Sequence, residues 1–103
     1  MNYLFCSVGR RVQLLNYFRQ SLDHGDKIIA TDNSKYAPAL QVADKRYLVP
    51  RVTDKNYIDI LIDICKNERI DAIFTLIDPE IMILAENRER FSKIGVVVFV
   101  PDF

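Results

Sequence analysis

Apolar residues gather in short runs, and between the runs they recur at helical spacing. Tyr3-Leu4-Phe5-Cys6 predicts a first strand, which leads through Ser7-Val8-Gly9-Arg10 into a helix carrying Val12, Leu15, Phe18 and Leu22 on one face. Gly25 is expected to close that helix, and Lys27-Ile28-Ile29-Ala30-Thr31 forms a second strand ending at Asp32. Residues 33–45 lack a sustained period and contain Pro38, so they read as a loop holding at most a short helix. Arg46-Tyr47-Leu48-Val49 is a short strand stopped by Pro50, which suits a sheet edge. Thr53 or Asp54 can cap the next helix, where Ile58, Leu61, Ile62 and Cys65 occupy i, i+3, i+4 and i+7.

Ala72-Ile73-Phe74-Thr75-Leu76-Ile77 has the continuous apolar character of a strand buried on both faces. Asp78-Pro79 then supplies an N-cap and a proline at the first helical position of a third helix, running to about Phe91 with Ile81, Leu84 and Ala85 inward. Gly95 precedes a fifth strand, Val96-Val97-Val98-Phe99-Val100, and Pro101 ends regular structure. Alternating strands and helices with right-handed crossovers predict an α/β fold: a small, open, doubly wound parallel sheet of five strands, order 3-2-1-4-5, with helices on both faces.

Composition narrows the class. A chain of 103 residues, half of them apolar, is the size and character of one globular domain with its own core. Its 14 basic and 14 acidic side chains cancel, so no global field favours nucleic acid or an anionic membrane. No run of 18 apolar residues and no basic leader is present, and the expected location is cytoplasmic. Cys6, Cys65 and His24 match no metal-ligand spacing, so no metal site is expected, and both cysteines read as small core residues in a reduced compartment.

In an open α/β sheet, ligands bind beyond the carboxyl ends of the strands where the winding reverses, here between strands one and four. After strand one come Ser7, Gly9, Arg10 and Arg11: a hydroxyl, a glycine that admits close backbone approach, and two guanidinium groups at a positive helix terminus, a set suited to an anion. After strand four, Asp78 and Glu80 could hold an ammonium group or pair with Arg10 or Arg11 across the crevice. Asp32 ends strand two, where dinucleotide folds hold a ribose. Each has a plainer reading: Asp78 as a helix N-cap, Gly9 as a positive-φ turn residue, Ser7 as a capping hydroxyl and Asp32 as a loop cap.

Several activities fail on missing residues. Arg11 and Leu14 stand where a G-x-G-x-x-G motif opened by Gly9 needs glycines, and no phosphate-loop lysine follows a second glycine. Cys6 and Ser7 occupy the place of the paired acids of a receiver domain, and Ser7 lacks a nucleophile elbow or a nearby base. No catalytic constellation is visible.

Ser7-Val8-Gly9-Arg10-Arg11, Thr31-Asp32, Ala37-Pro38-Ala39, Ala43-Asp44, Tyr47-Leu48-Val49-Pro50 and Leu76-Ile77-Asp78-Pro79-Glu80 occur in this order. Together they resemble the pre-ATP-grasp domain that precedes the catalytic region of ligases similar to the carbamoyl-phosphate-synthase large subunit, with Thr75 where members of that family often carry proline. The resemblance spans essentially the whole chain. It implies a substrate-side domain, not catalytic alone, of an enzyme that uses ATP and magnesium to activate a carboxylate. Both cofactors would be held by the later domains, and none by this one. The implied partners are an ATP-grasp catalytic domain, in a longer chain or a separate subunit, and a small-molecule substrate; a homodimer is left open. Residues 1–103 would then be the pre-ATP-grasp unit, with the catalytic region outside this chain. The alternatives are a free-standing module binding a small anion or nucleotide, and a non-catalytic scaffold domain.

Overall fold

In the computed structural model, which describes residues 1–75 and 77–99, the strands β1 (Asn2–Cys6), β2 (Lys27–Asp32), β3 (Lys45–Leu48), β4 (Ala72–Thr75) and β5 (Val97–Phe99) form one sheet of order β3-β2-β1-β4-β5. All four pairings are parallel, with Leu4 opposite both Ile29 and Ile73. The α/β class and the strand order follow the sequence reading. Leu76, Val100 and Pro101, placed above in strands four and five and just after, lie outside the described residues.

The period-2 alternation of each strand divides the core in two. Leu4, Cys6, Ile29, Ile73 and Val98 point to one face, where α2 (Tyr57–Asn67), α3 (Asp78–Glu86) and α4 (Arg88–Ser92) bury Leu61, Cys65, Leu84 and Phe91. Phe5, Ile28 and Ala30 point to the other, under α1 (Val12–Gln20) and a single 3-10 helix over Pro38–Val42. The winding reverses between β1 and β4, which is why crossovers of one hand fall on opposite faces.

The expected stripe Ile58, Leu61, Ile62 and Cys65 is buried as a unit, and the loop over 33–45 holds only the short 3-10 helix. Helix boundaries are where local polar chemistry overrides periodicity. α1 stops at Gln20 and not near Gly25, because Asp26 accepts from the Asp23 backbone N–H and returns its own N–H to the Asp23 carbonyl, closing a turn in place of another helical turn. α2 begins at Tyr57, after Asn56: Asp54, expected to cap the helix, turns the preceding segment by accepting from the Asn56 N–H.

The third helix is two. At Asn87 the side-chain amide takes the Ile83 carbonyl, the backbone N–H turns to Leu84, and the chain restarts as α4. Ala85, expected inward, is exposed on α3 before the break, and Phe91 after it is fully buried. Asp78 also differs from expectation. It is the first residue of α3, its side chain caps nothing, and Ile77 is the extended residue before the helix.

At the sheet edge, Tyr47 of β3 donates to Glu68 just past α2, and Lys45 pairs with the same carboxylate at 3.2 Å. The Tyr47 hydrogen bond is the main reason the Glu68 carboxyl sits below its ordinary value of 4.5. A depressed carboxyl contributes stability above its unfolded value and loses it as pH falls through the folded one. Tyr47→Phe is therefore expected to flatten the loss of stability below pH 4.5 and to leave the neutral-pH slope unchanged, as read by urea midpoints across pH. Phe91→Ala, at a site with no exposure, should lower stability by about 3–5 kcal/mol, whereas Met82→Ala on the exposed side of α3 should stay within about 0.5 kcal/mol by urea unfolding.

Candidate functional site

The loop after β1 is fastened at nearly every residue. The Val8 N–H donates to the Thr31 carbonyl at 3.2 Å and the Val8 side chain is buried, so the loop is drawn over the end of β2. The Gly9 N–H donates to Asp32 Oδ2 at 2.8 Å, and the Gly9 carbonyl accepts from the Ala39 N–H at 3.0 Å. Gly9 has φ +51, in the left-handed region that disfavours other residues. Asp32 Oδ1 accepts from the Ser34 N–H at 3.0 Å, so both oxygens of this buried carboxylate serve backbone donors of two loops. This is the loop-cap arrangement.

Ser7 has φ +53, a conformation that costs a serine about 1–2 kcal/mol. The turn aims its hydroxyl at Glu80 Oε2, 2.9 Å away. Glu80 belongs to the first turn of α3 yet is fully buried, because Tyr57 of α2 and Thr75 of β4 also donate hydroxyl protons to its carboxylate. Three hydroxyls from three elements thus converge on one buried acid. The Cys6 thiol lies in the same cluster; burial, and then the Glu80 charge, push its pKa well up. Burial likewise raises the Tyr57 phenol, with Cys6 and Glu80 adding to the shift. Both groups stay protonated at neutral pH, which excludes a thiolate or phenolate nucleophile here. Thr31 lies beside the thiol, and its fully buried hydroxyl has no hydrogen-bond partner among the described residues. Burial also pushes Cys65 up to about 12.

Above this buried layer the surface is cationic. Arg10 and Arg11 after β1, Lys35 after β2, and Arg51 and Lys55 after β3 are all exposed at the carboxyl end of the sheet. None of them joins an ion pair among the described residues, where Met1–Asp26, Arg19–Asp44, Lys45–Glu68 and Arg90–Asp59 are the pairs formed. Arg11 directly precedes α1, and its guanidinium folds back to 3.8 Å from where a Cβ on Gly9 would sit. Arg10 lines a shallow cavity of about 310 Å³ with Gly9, Asp32, Ser34 and Tyr36. Among the described residues no three His, Cys, Asp or Glu side chains gather in a metal-binding group, and no helix is long and apolar enough to cross a membrane.

A family model for the PylC-like N-terminal domain matches residues 3–99, all five strands included. The chain belongs to that family. It is an N-terminal domain of the pre-ATP-grasp kind, the coarser part of the resemblance drawn from the motifs. A comparison with curated proteins finds no match. Among solved structures, the fold is similar to glycinamide-RNase-transformylase T from Mycobacterium tuberculosis, at 16% identity and TM-score 0.69, over 95% of this chain and 28% of that one. It is also similar to pyruvate carboxylase from Rhizobium etli, at 21% identity and TM-score 0.63, over 95% of this chain and 10% of that one. A third likeness is dTDP-glucose 4,6-dehydratase from Bacillus anthracis in complex with NAD, at 18% identity and TM-score 0.64, over 95% and 36%. At these identities the likeness is one of fold, and the chain spans about a tenth to a third of the structures it matches.

Set against the expected site of this PylC-like domain, Ser7 and Glu80 meet directly, and Gly9 and Asp32 meet directly. Asp78, Arg10 and Arg11 are exposed, and among the described residues neither acid of α3 pairs with either arginine. Tyr57 and Thr75 were not anticipated as members of the cluster. Tyr57 precedes Leu61 and Cys65 by four and eight positions on the buried stripe, and a tyrosine on such a stripe needs an internal partner for its hydroxyl. Thr75 contributes a side-chain hydroxyl from the end of β4.

Because three donors depend on one acceptor, Glu80→Ala should cost more than any single hydroxyl. The expected losses, read by urea unfolding, are about 3–5 kcal/mol for Glu80→Ala, which leaves three hydroxyls without their acceptor, and about 1–1.5 kcal/mol for Tyr57→Phe. Equal losses for the two variants would show that Tyr57 alone carries the cluster.

Proposed function

We propose that this PylC-like domain is the substrate-side N-terminal domain of an ATP-grasp carboxylate ligase similar to the carbamoyl-phosphate-synthase large subunit, and that it supplies an anion-accepting wall without catalysing a step itself. The observation that carries the reading is the set of five exposed cations at the ligand-binding end of the sheet, without ion-pair partners among the described residues. Among the described residues the exposed carboxylates at that end are two, Asp54 and Asp78, since Asp32 and Glu80 are buried with their oxygens already accepting. Arg10 and Arg11 would bind the carboxylate or phosphate of a small substrate, with the Ser7–Gly9 loop setting their approach. Asp78, exposed in the first turn of α3, could receive an ammonium group.

The donor set here does not suit MgATP. Glu80 is committed to hydroxyls and Asp32 to backbone N–H groups, and the exposed Asp54 and Asp78 join no metal-binding group among the described residues, so in this reading ATP and magnesium would be held by the later domains of such an enzyme in the cytoplasm. The second reading, a free-standing module for a small anion or nucleotide, draws on the cavity beside Arg10, where an exposed Tyr36 ring and the Ser34 hydroxyl could flank a ligand.

Thermal unfolding separates the two. MgATP is expected to leave the melting temperature of the chain unchanged, whereas a ligand of the domain alone, at a hundredfold excess over its dissociation constant, would add about 2.7 kcal/mol. In the parent ligase, replacing Arg10 and Arg11 together by alanine should raise KM for the anionic substrate by about tenfold or more and leave circular dichroism unchanged. Unaltered kinetics would leave this end of the sheet a scaffold.

A further inference from the structure

The two faces of the sheet are not covered alike. α2, α3 and α4 roof one face out to Val98 of β5, but on the other α1 and the 3-10 helix pack over β1 and β2. What remains is the outer half of that face, over β4 and β5. In register on it stand Ala72 beside Val97 and Phe74 beside Phe99. Phe5, Phe74 and Phe99 form a ladder of nearly parallel rings, 4.9 and 5.0 Å apart, which runs from beneath α1 out to the uncovered edge. Val97 is 55% exposed and Phe99 52%.

The flank of α1 that overlooks this half is apolar too. Arg19 reaches the Val42 carbonyl and Asp44, which fixes the β3 side of the helix, while Phe18 meets Phe74 on the β4 side. Leu14, one turn before Phe18, lies on that same β4 side and is 42% exposed. The result is a trough with a floor of Phe74, Val97 and Phe99 and a wall of Phe18 and Leu14.

We propose that this trough is the docking surface for a helix of the polypeptide that follows the domain in its family, entered directly from β5. The proposal rests on membership of a family defined as an N-terminal domain and is independent of the anion site. Two strand spacings of about 4.8 Å separate the β1–β2 boundary, over which α1 packs, from the β4–β5 boundary. That matches the 8–10 Å at which helices pack side by side. A helix that follows a parallel edge strand and packs back on its sheet runs opposite to the strand, which is the direction of α1. The occupant is therefore a helix roughly parallel to α1, with an apolar stripe on its sheet-facing side.

Thiol labelling tests this, because the native thiols Cys6 and Cys65 are buried and protonated and give little background. Val97→Cys and, separately, Leu14→Cys would be made in the 103-residue chain and in the full polypeptide as its gene encodes it, and labelled with a small maleimide. Both positions should react readily in the 103-residue chain and at least about tenfold more slowly in the full polypeptide, since reactivity follows exposure. Equal rates in the two proteins would overturn the proposal, as would a gene that encodes no following segment. Slow labelling of a 103-residue chain that sediments at twice its mass would also overturn it, by showing a second copy on the face. Should a variant of the short chain fail to fold, the full polypeptide decides alone: a position 97 thiol that reacts faster than the buried native cysteines excludes a seated helix.

Discussion

Much of this domain is organised by a single carboxylate. Glu80 lies in the first turn of α3, is fully buried, and accepts hydroxyl protons from the β1 loop, from α2 and from β4. An acid in that position would be too costly to desolvate alone, so the three donors are a condition of the fold and not an ornament to it. They also fix relative positions. Ser7 can hold a positive φ because its hydroxyl has somewhere to go, and Tyr57 can sit fully buried because its phenol does. The turn at Ser7 in turn sends Val8 into the core and Gly9 toward Asp32, which places Arg10 and Arg11 above the sheet. The interior is spent on orientation, and the exposed loop carries the charge.

That division explains how a chain of zero formal charge can carry a one-sided field. Three of the four ion pairs among the described residues lie toward the amino ends of the strands: Met1 with Asp26, Arg19 with Asp44 and Lys45 with Glu68. Acids and bases compensate each other there. At the opposite end, two of the four carboxylates among the described residues are turned inward and satisfied by hydroxyl or backbone donors, so the cations above them are left facing solvent. Exposed pairs add little to stability. Leaving the arginines unpaired therefore takes little from the fold, and keeps them free for the anion proposed above.

The fold was legible in the sequence because its strands are apolar runs bounded by polar turns, and the handedness of crossovers leaves little freedom once the order of elements is known. The stripe Ile58, Leu61, Ile62 and Cys65 was legible for the same reason. Helix ends were not, since Asp26, Asp54 and Asn87 stop or delay helices through side-chain bonds that periodicity does not register. The site was half legible. Ser7, Gly9, Asp32 and Glu80 stand out as polar or flexible residues at strand ends, yet Glu80 reads as a surface acid until the hydroxyls of Tyr57 and Thr75 are known to converge on it. Such convergence joins residues far apart in the chain, and no local pattern encodes it.

The same crossover rule that makes the sheet predictable also leaves it incomplete. With the winding reversing between β1 and β4, every connection on the β4–β5 side falls on the face of α2, α3 and α4, and no element among the described residues covers the opposite side of those two strands. A strand faced with charge would tolerate this. β4 and β5 instead present Phe74, Val97 and Phe99, and α1 adds Leu14 where a purely solvent-facing flank would carry a polar residue. Single exposed apolar residues need no explanation, but an ordered ring ladder continued by a helix flank is a contiguous surface, and contiguous apolar surface in a soluble domain marks a contact. The domain thus presents two separate outward surfaces, a polar one at the strand ends suited to a ligand and an apolar one on the sheet suited to more polypeptide. An amino-terminal domain serving a larger enzyme needs both of these features, whereas an isolated binding module would need only the first.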